Sequence, residues 1–319
     1  MSTVPRTAAV ESRATWSRID RLGFYACWAA GIMLCVIASA IVLFMLVKGV
    51  TELRIGMLFE RPNIDVDQTK AGGILDPILG SLIVTLIGIA IALPLGVAIA
   101  LWLTEYARPF WLARLVESGV EVVAGTPSIV LAIFGLIVFS SEFLSVLSFQ
   151  AAGADTAFGR SFLIAGIMMS FIALPLVVGA TREGLNAIPG HVREASYALG
   201  KTKAATIRRV LLPSVRNNVA AGAALGMGRV IGDTAIIVIL LGASFQLQPF
   251  EESPPGADVL RGTGSTLTSY VYNNSPAGEG GAFEKAYAAA FVLLLIVRLL
   301  NLGVARVVRA GAGAAGGAR

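Results

Sequence analysis

Two side chains of opposite charge stand inside a long apolar run of the sequence. The segment GMGRVIGDTAIIVIL, residues 226–240, contains Arg229 and, four residues later, Asp233. At the centre of a membrane-spanning helix a charge costs about 2.5–3.5 kcal/mol on insertion scales, so it is retained by pairing or by facing a polar pathway. Four residues are about one helical turn, so the spacing predicts an ion pair on one helix face.

The same two residues allow two interpretations of what the pair does. A fixed Arg229–Asp233 pair would only hold neighbouring helices in place. Alternatively, Arg229 would switch between Asp233 and a passing oxyanion, because a guanidinium offers a fork of donors that matches such an anion. The glycine pairs Gly222–Gly226 and Gly228–Gly232 in the same segment are expected to let helices approach closely.

A second group of candidate residues lies in EASYALGKTKAATIRRVLLP, from Glu194 to Pro213. The pattern predicts one short helix that ends at Gly200 and a second that begins near Ala204. Gly200 suits a left-handed turn between them because glycine has no Cβ to clash. Seven basic residues occupy the surrounding segment 181–218, so this loop is expected at the membrane surface or against a partner.

Part of this loop resembles a nucleotide-binding motif without its context. ASYALGKT differs from the phosphate-binding pattern G-x-x-x-x-G-K-[ST] only at Ala195. A phosphate-binding loop follows a strand, whereas this segment follows an apolar span and has a helical pattern. We therefore expect this chain to bind no ATP and no other cofactor of its own.

The elements that must position these residues are membrane spans. The chain has 319 residues, of which 56% are hydrophobic and 14% charged, against about 25% charged residues in soluble domains. A helix needs about 20 apolar residues to cross the hydrocarbon. Six stretches meet this length, at 22–47, 78–103, 119–139, 162–180, 219–243 and 286–305. The sequence predicts an all-α integral membrane protein with six transmembrane helices and excludes a soluble enzyme.

Basic residues in the connecting segments predict the orientation. With the N-terminus inside, the inner segments contain sixteen Lys and Arg residues and the outer segments seven. Inner segments carry the excess of basic residues in membrane proteins. We therefore expect both termini in the cytoplasm. The net charge of +5 follows from this rule, so no nucleic-acid partner is expected.

The loop also matches a family motif. E-A-A-x₃-G-x₉-I-x-L-P marks the permease subunits of bacterial ABC importers, with Ser196 and Val210 as mild departures here. The residues in register are Glu194, Ala195, Gly200, Leu212 and Pro213. Three further segments resemble the A-type permease of phosphate ABC importers (PstA type): residues 71–107, GTPSIVLAIFGL at 125–136 and GRVIGDTA at 228–235. That family usually has Glu at the position of Asp233.

The resemblance implies an architecture and a set of partners. It implies a type I ABC-importer permease core in the cytoplasmic membrane of a bacterium, with coupling helices that contact an ATPase through the loop at Glu194–Gly200. The expected partners are membrane lipid, a second homologous permease, two ATPase subunits that use ATP and Mg, and an extracytoplasmic phosphate-binding protein. The expected organisation is a cytoplasmic tail (1–21), a first transmembrane helix with its outer loop (22–70), the permease domain (71–305) and a disordered cytoplasmic tail (306–319).

Several alternatives remain open from the sequence. The permease could carry another oxyanion, such as molybdate or sulfate, or a different small solute. The chain could instead be an ion-driven secondary transporter or channel, which would need no ATPase. Arg182, at the predicted cytoplasmic end of the fourth span, is either a second anion contact or an anchor at the membrane surface. Pro94, Pro127 and Pro175 interrupt spans two, three and four, where they would either break the helices to line a substrate route or only kink them.

Overall fold

The structure, a computed structural model, describes residues 17–62, 72–148, 159–242, 257–276, 278 and 281–316. Regular structure in these residues is helical. The α-helices are α1 (Arg18–Glu52), α2 (Leu75–Leu101), α3 (Phe110–Gly125), α4 (Ser128–Phe139), α5 (Phe162–Ala187), α6 (Gly190–Ala198), α7 (Lys203–Thr206), α8 (Leu212–Gly232), α9 (Ala235–Leu241), α10 (Ala257–Arg261), α11 (Leu267–Asn274) and α12 (Phe283–Gly316).

The chain divides into two compact units, Met1–Lys48 and Gly49–Arg319. The described part of the first unit is most of α1, an apolar helix long enough to span a membrane. The second unit contains all the other helices, and all the packing discussed below lies within it.

The helices that could cross a membrane confirm the predicted all-α, multi-span class. Among the described residues, four helices are long and apolar enough by themselves: Arg18–Glu52, Leu75–Tyr106, Phe162–Asn186 and Phe283–Arg306. Two bent pairs of helices have the required length and composition together, α3 with α4 at 108° and Lys203–Gly232 with α9 at 60°, and each forms a broken span or a re-entrant loop. The six predicted spans are obtained when each bent pair counts as one span.

Two of the six predicted spans, 119–139 and 219–243, each consist of two helices separated by a break. The first breaks at Thr126, whose extended backbone (φ −77°, ψ 129°) precedes Pro127. A residue before proline is disfavoured in the helical conformation, and proline has no N–H to donate. Pro94 and Pro175 instead lie inside the helices α2 and α5, which continue through them. The second break lies at Asp233.

Helices α2, α5 and α8 form the packed centre of the second unit. A Cβ built on Gly166 of α5 would lie 2.5 Å from Cγ2 of Ile87 on α2, and one on Gly222 of α8 would lie 3.0 Å from Cα of Val177 on α5. Helices in lipid associate through such close packing, because the hydrocarbon solvates apolar side chains as well as a neighbouring helix does. Glycine at these contacts therefore sets the distances between the helices that carry the candidate residues.

One end of this bundle brings together the C-terminal ends of α2 and α5 and the start of α7. The sequence predicts that this end faces the cytoplasm, and we refer to it as the predicted cytoplasmic end. Helix α2 continues there into a π-helical turn, Trp102–Tyr106, and a second π-helical turn, Ile207–Leu211, joins α7 to α8. A buried apolar cluster that includes Leu103, Leu185 and Leu211 stabilises this end.

Helix also occurs outside the spans and the coupling loop. The described part of the connection between the fifth and sixth spans contains α10 and α11, while residues 243–256 lie outside the described part. Helix α12 continues to Gly316, through most of the segment 306–319 that is predicted to be disordered. Alanine, frequent in that segment, has the highest helix propensity and offsets part of the cost of its glycines.

Candidate translocation and coupling sites

The fifth span is interrupted next to its two charged residues. Helix α8 ends at Gly232, Asp233 has an extended backbone (φ −81°, ψ 123°), and α9 begins at Ala235. The Asp233 side chain is buried, with its residue 5% exposed, and its Oδ1 accepts a hydrogen bond of 3.0 Å from the backbone N–H of Ile236. The first N–H groups of a helix have no partner within it, so Asp233 caps α9.

Arg229 lies on a different side of the broken span from Asp233. It is exposed on α8, whereas the packed face of that helix presents Gly222, Gly226 and Val230 to the neighbouring helices. A Cβ built on Gly228 or Gly232 would meet nothing within 4 Å. Of the two glycine pairs in this segment, only Gly222–Gly226 therefore packs against another helix. Arg229 and its small neighbours form an open face of α8.

The predicted Arg229–Asp233 ion pair is wrong. Among the described residues, the ion pairs do not include one between these two side chains. The prediction assumed an unbroken helix, which would have placed both residues on one face. The break before Asp233 instead directs its carboxylate to the start of α9. The guanidinium of Arg229, with five N–H donors, is left exposed on the open face, where an oxyanion would find a matching fork.

Short hydrogen bonds secure the chain around this break. The hydroxyl of Thr268 donates to the carbonyl of Ile231 over 2.6 Å, and the N–H of Leu267 donates to the hydroxyl of Ser81 on α2 over 2.8 Å. Thr266 and Ser269 form a reciprocal cap at the start of α11. The Thr-x-x-Ser spacing resembles the sequence pattern of such caps, but nothing in the sequence indicates that α11 meets α8 and α2.

The third predicted pathway residue, Arg182, lies away from the break. Its guanidinium forms an ion pair and hydrogen bond with the carboxylate of Glu117 on α3, and both side chains are more than one third exposed. This places Arg182 on α5 towards the predicted cytoplasmic end. The structure therefore does not bring Arg182 together with Arg229, and its role as an anion contact stays a prediction.

The predicted coupling loop has the turn that the sequence indicates. Helix α6 ends at Ala198, Gly200 has a φ of +73°, and Thr202 caps α7 through a 3.3 Å hydrogen bond from the N–H of Ala205. The second helix differs from the prediction, because α7 continues through a π-helical turn into α8 rather than forming a separate short helix. Leu212 and Pro213 therefore lie at the first turn of α8.

Helix α6 has one face towards the bundle and one face open. Glu194, Ala195, Tyr197 and Gly200 are exposed, and Leu199 is 77% exposed. The opposite face contains Ser196, which is buried and lies 2.8 Å, oxygen to oxygen, from the hydroxyl of Thr206 on α7. An exposed face with an acidic, an aromatic and a large aliphatic side chain is suited to contact another protein.

Arg193 holds α6 against two of the spans. Its Nε donates to Oε1 of Glu105 over 2.9 Å, its Nη1 to the carbonyl of Ile188 over 2.8 Å and its Nη2 to the carbonyl of Leu185 over 2.9 Å. The side chain of Glu105 is 6% exposed and that of Arg193 20% exposed. The π-helical turn Trp102–Tyr106 also contacts α7, because Lys203 donates to the carbonyl of Glu105 and lies 4.4 Å from the centre of the Tyr106 ring.

Sequence reasoning missed this arrangement. Glu105 lies 88 residues before Arg193, and no local pattern links an acidic residue just beyond the second span to an arginine in the coupling loop. The one available signal was the position of Arg193, directly before the first residue of the matched motif.

No metal centre is formed by His, Cys, Asp and Glu side chains within the described ranges. The segment ASYALGKT runs from α6 through the turn at Gly200 to the cap of α7, and α6 follows helix α5. Its context is therefore helical, as expected, and differs from the strand and glycine-rich turn of a phosphate-binding loop.

Comparison with known proteins identifies relatives over most of the chain. Phosphate transport system permease protein PstA 1 of Mycobacterium tuberculosis (strain CDC 1551 / Oshkosh) is 32% identical over 237 residues, which cover 74% of this chain and 71% of that protein. Phosphate transport system permease protein PstC of Xylella fastidiosa (strain 9a5c) is 30% identical over 250 residues, covering 73% and 72%.

The fold also has a counterpart among solved structures. The crystal structure of a bacterial ABC transporter involved in the import of the acidic polysaccharide alginate matches with a TM-score of 0.58, covering 92% of this chain and 99% of that chain. At 15% identity this likeness concerns the fold alone. The sequence profile described as binding-protein-dependent transport system inner membrane component matches residues 92–310. The chain belongs to this family of membrane-embedded transport permeases.

Proposed function

We propose that this chain is a permease subunit of an ATP-driven importer that carries inorganic phosphate across the cytoplasmic membrane. The observation that carries the proposal is its identity of 32% over 237 residues with a protein named as a phosphate transport permease. Relatives named PstA and PstC both match, and the A-type assignment rests on the resemblance of the three sequence segments. Both termini would lie in the cytoplasm.

The broken fifth span supports an anion pathway. Arg229 is exposed on the open face of α8, and Asp233 is engaged in capping α9. The cation is therefore available to an anion, and no carboxylate within the described residues forms an ion pair with it. Near neutral pH phosphate carries between one and two negative charges, which favours binding to such a guanidinium. A second homologous permease would complete the pathway by facing this side of α8.

The open face of α6 supports coupling to a separate motor. The chain would use ATP through two ATPase subunits, which would contact Glu194, Ala195 and the turn at Gly200. An extracytoplasmic phosphate-binding protein would deliver the anion to the opposite side. Leu212 and Pro213, at the start of α8, would receive the movement directly, because α7 and α8 form one continuous helix.

The test is uptake of labelled phosphate at low external phosphate in a strain that lacks this protein, with and without the restored chain. Excess sulfate and molybdate serve as competitors. Restored uptake that neither sulfate nor molybdate reduces would support phosphate as the substrate. Uptake suppressed by sulfate or molybdate would transfer the assignment to another oxyanion, and no restoration with the protein present in the membrane would reject phosphate.

Arg229→Gln tests the pathway directly. A hydrogen bond to a charged group contributes about 1.5–3 kcal/mol, so we expect the variant to lose roughly 10- to 100-fold in uptake while it still inserts. Arg298→Gln is the matched control, because Arg298 is also an exposed arginine in a span, on α12. Undiminished uptake by Arg229→Gln, or an equal loss in the control, would remove Arg229 from the pathway.

A further inference from the structure

Three separate structural elements meet at the guanidinium of Arg193. Its Nε contacts the carboxylate of Glu105 at the end of the second span, while its two Nη atoms contact the carbonyls of Leu185 and Ile188 at the end of α5. Arg193 itself belongs to α6. One side chain therefore joins the coupling helix to the two spans that pack most closely in the bundle.

The chemistry of these contacts makes the junction stiff. The last carbonyls of a helix have no partner within it, so Arg193 caps α5 and adds a positive charge where the helix dipole is negative. The pair with Glu105 is largely shielded from water, which makes it less screened than a surface pair. The planar guanidinium fits three acceptors at once, which an ammonium group on a flexible stem does not reproduce.

A second set of contacts joins α7 to α6 and to the end of the second span. Lys203 contacts the carbonyl of Glu105 and the ring of Tyr106, and the hydroxyls of Ser196 and Thr206 join α6 to α7. Helix α7 is continuous with α8, which carries Arg229. The turn at Glu105 therefore links α6 to all three central helices.

From this geometry we propose that Arg193 is a positioning residue that makes α6 move as one body with α2 and α5. This inference rests on the proposed function, in which an ATPase subunit contacts the open face of α6 and moves this helix. With the junction intact, a displacement of α6 reaches the spans; without it, α6 turns on its short connections and the displacement is lost. Arg193 acts through Glu105 and the end of α5 and touches neither the anion nor the nucleotide.

The first measurement is the number of phosphate ions imported per ATP hydrolysed, with the complete importer reconstituted in vesicles. For Arg193→Gln we expect about a tenfold lower ratio with ATP hydrolysis retained, within the usual range of coupling between sites. Arg193→Lys keeps the charge but not the three-way contact and is expected in between. Glu105→Gln, which keeps the side-chain shape, tests the ion pair if Arg193→Gln fails to fold.

Arg114→Gln is the control for these variants, because Arg114 is an exposed arginine on α3 next to the same end of the bundle. We expect its ratio to equal that of the unaltered importer. A general loss of stability would lower uptake and ATP hydrolysis together. An unchanged ratio in both Arg193→Gln and Glu105→Gln, or a proportional fall in both activities, would overturn the proposal.

A distance measurement separates this inference from the proposed substrate. Spin labels at His191→Cys on α6 and Ala98→Cys on α2, both exposed positions, report the relative position of the two helices after Cys27 and Cys35 are replaced by serine. We expect one narrow distance distribution with and without ATP, and a broad one in Arg193→Gln. A distribution that stays narrow in Arg193→Gln would overturn the proposed junction. An importer that moves no phosphate would reject the substrate and leave this result intact.

Discussion

The contact between α2 and α5 depends on the absence of a side chain at Gly166. A Cβ at this position would lie 2.5 Å from Cγ2 and 2.6 Å from Cβ of Ile87. The Cβ of Ile87 is attached directly to the backbone of α2, so it has no rotamer that moves it away. Gly166→Ala must therefore push the two helices apart rather than rotate one side chain.

The expected cost follows from two opposing terms. Overpacking of a well-packed contact typically costs about 1–3 kcal/mol. Alanine in place of glycine inside a helix offsets about 0.5–1 kcal/mol of this cost. We expect Gly166→Ala to lower the free energy of unfolding by about 1–2 kcal/mol, which is roughly a 5- to 30-fold change in the ratio of folded to unfolded protein.

Gly88→Ala is the matched control on the partner helix. A Cβ on Gly88 would lie 3.5 Å from its nearest neighbours, including the carbonyl oxygen of Gly166, which is an ordinary van der Waals distance. The helix-propensity term then stands alone, so this variant should be neutral or up to about 1 kcal/mol more stable.

Thermal unfolding in mild detergent, followed by tryptophan fluorescence, compares the two variants with the unaltered protein. We expect a lower midpoint for Gly166→Ala and an unchanged or higher midpoint for Gly88→Ala. Equal midpoints for the two variants, or a lower midpoint only for Gly88→Ala, would refute the assignment of the α2–α5 contact.

Two further predictions concern the break and the outer connection. Asp233→Ala removes the cap of α9 and should lower the free energy of unfolding by about 0.5–2 kcal/mol. Asp233→Asn keeps a hydrogen-bond acceptor and should lower it less. Equal losses of stability in the two variants, measured by thermal unfolding, would contradict the capping role of Asp233. Burial raises the pKa of Tyr270 from 10.0 to about 12. Because the unfolded chain releases this proton first, the stability linked to Tyr270 should be present below pH 10 and disappear as the pH rises towards 12. In Tyr270→Phe the free energy of unfolding should depend less on pH between 10 and about 12. An unaltered slope in this range would show that the pH dependence does not arise from Tyr270.

The position of the spans was predictable because it depends on length and polarity alone. An apolar stretch of about 20 residues crosses the hydrocarbon whatever its neighbours are. The left-handed turn at Gly200 was predictable for a similarly local reason, since its φ of +73° is readily accessible to glycine. The exposure of α6 was predictable from the density of basic residues in its loop, which excludes the loop from the hydrocarbon.

The candidate translocation site was only half predictable. The sequence identified Arg229 and Asp233 as unusual, because charge in an apolar run is costly wherever it occurs. It did not show that α8 ends at Gly232, so the inferred ion pair was wrong. A break at this point depends on the carboxylate of Asp233 capping α9 and on Thr268 contacting the carbonyl of Ile231, which lies 37 residues earlier.

By itself, the sequence determined the membrane class and the approximate limits of the spans, because these depend on composition and local backbone preference. Only the tertiary structure decided that Asp233 caps α9 instead of pairing with Arg229, that Thr268 contacts the carbonyl of Ile231 beside the break, and that Glu105 meets Arg193. The last two contacts join residues that are 37 and 88 positions apart in the chain, and hydropathy and residue spacing do not indicate contacts over such separations.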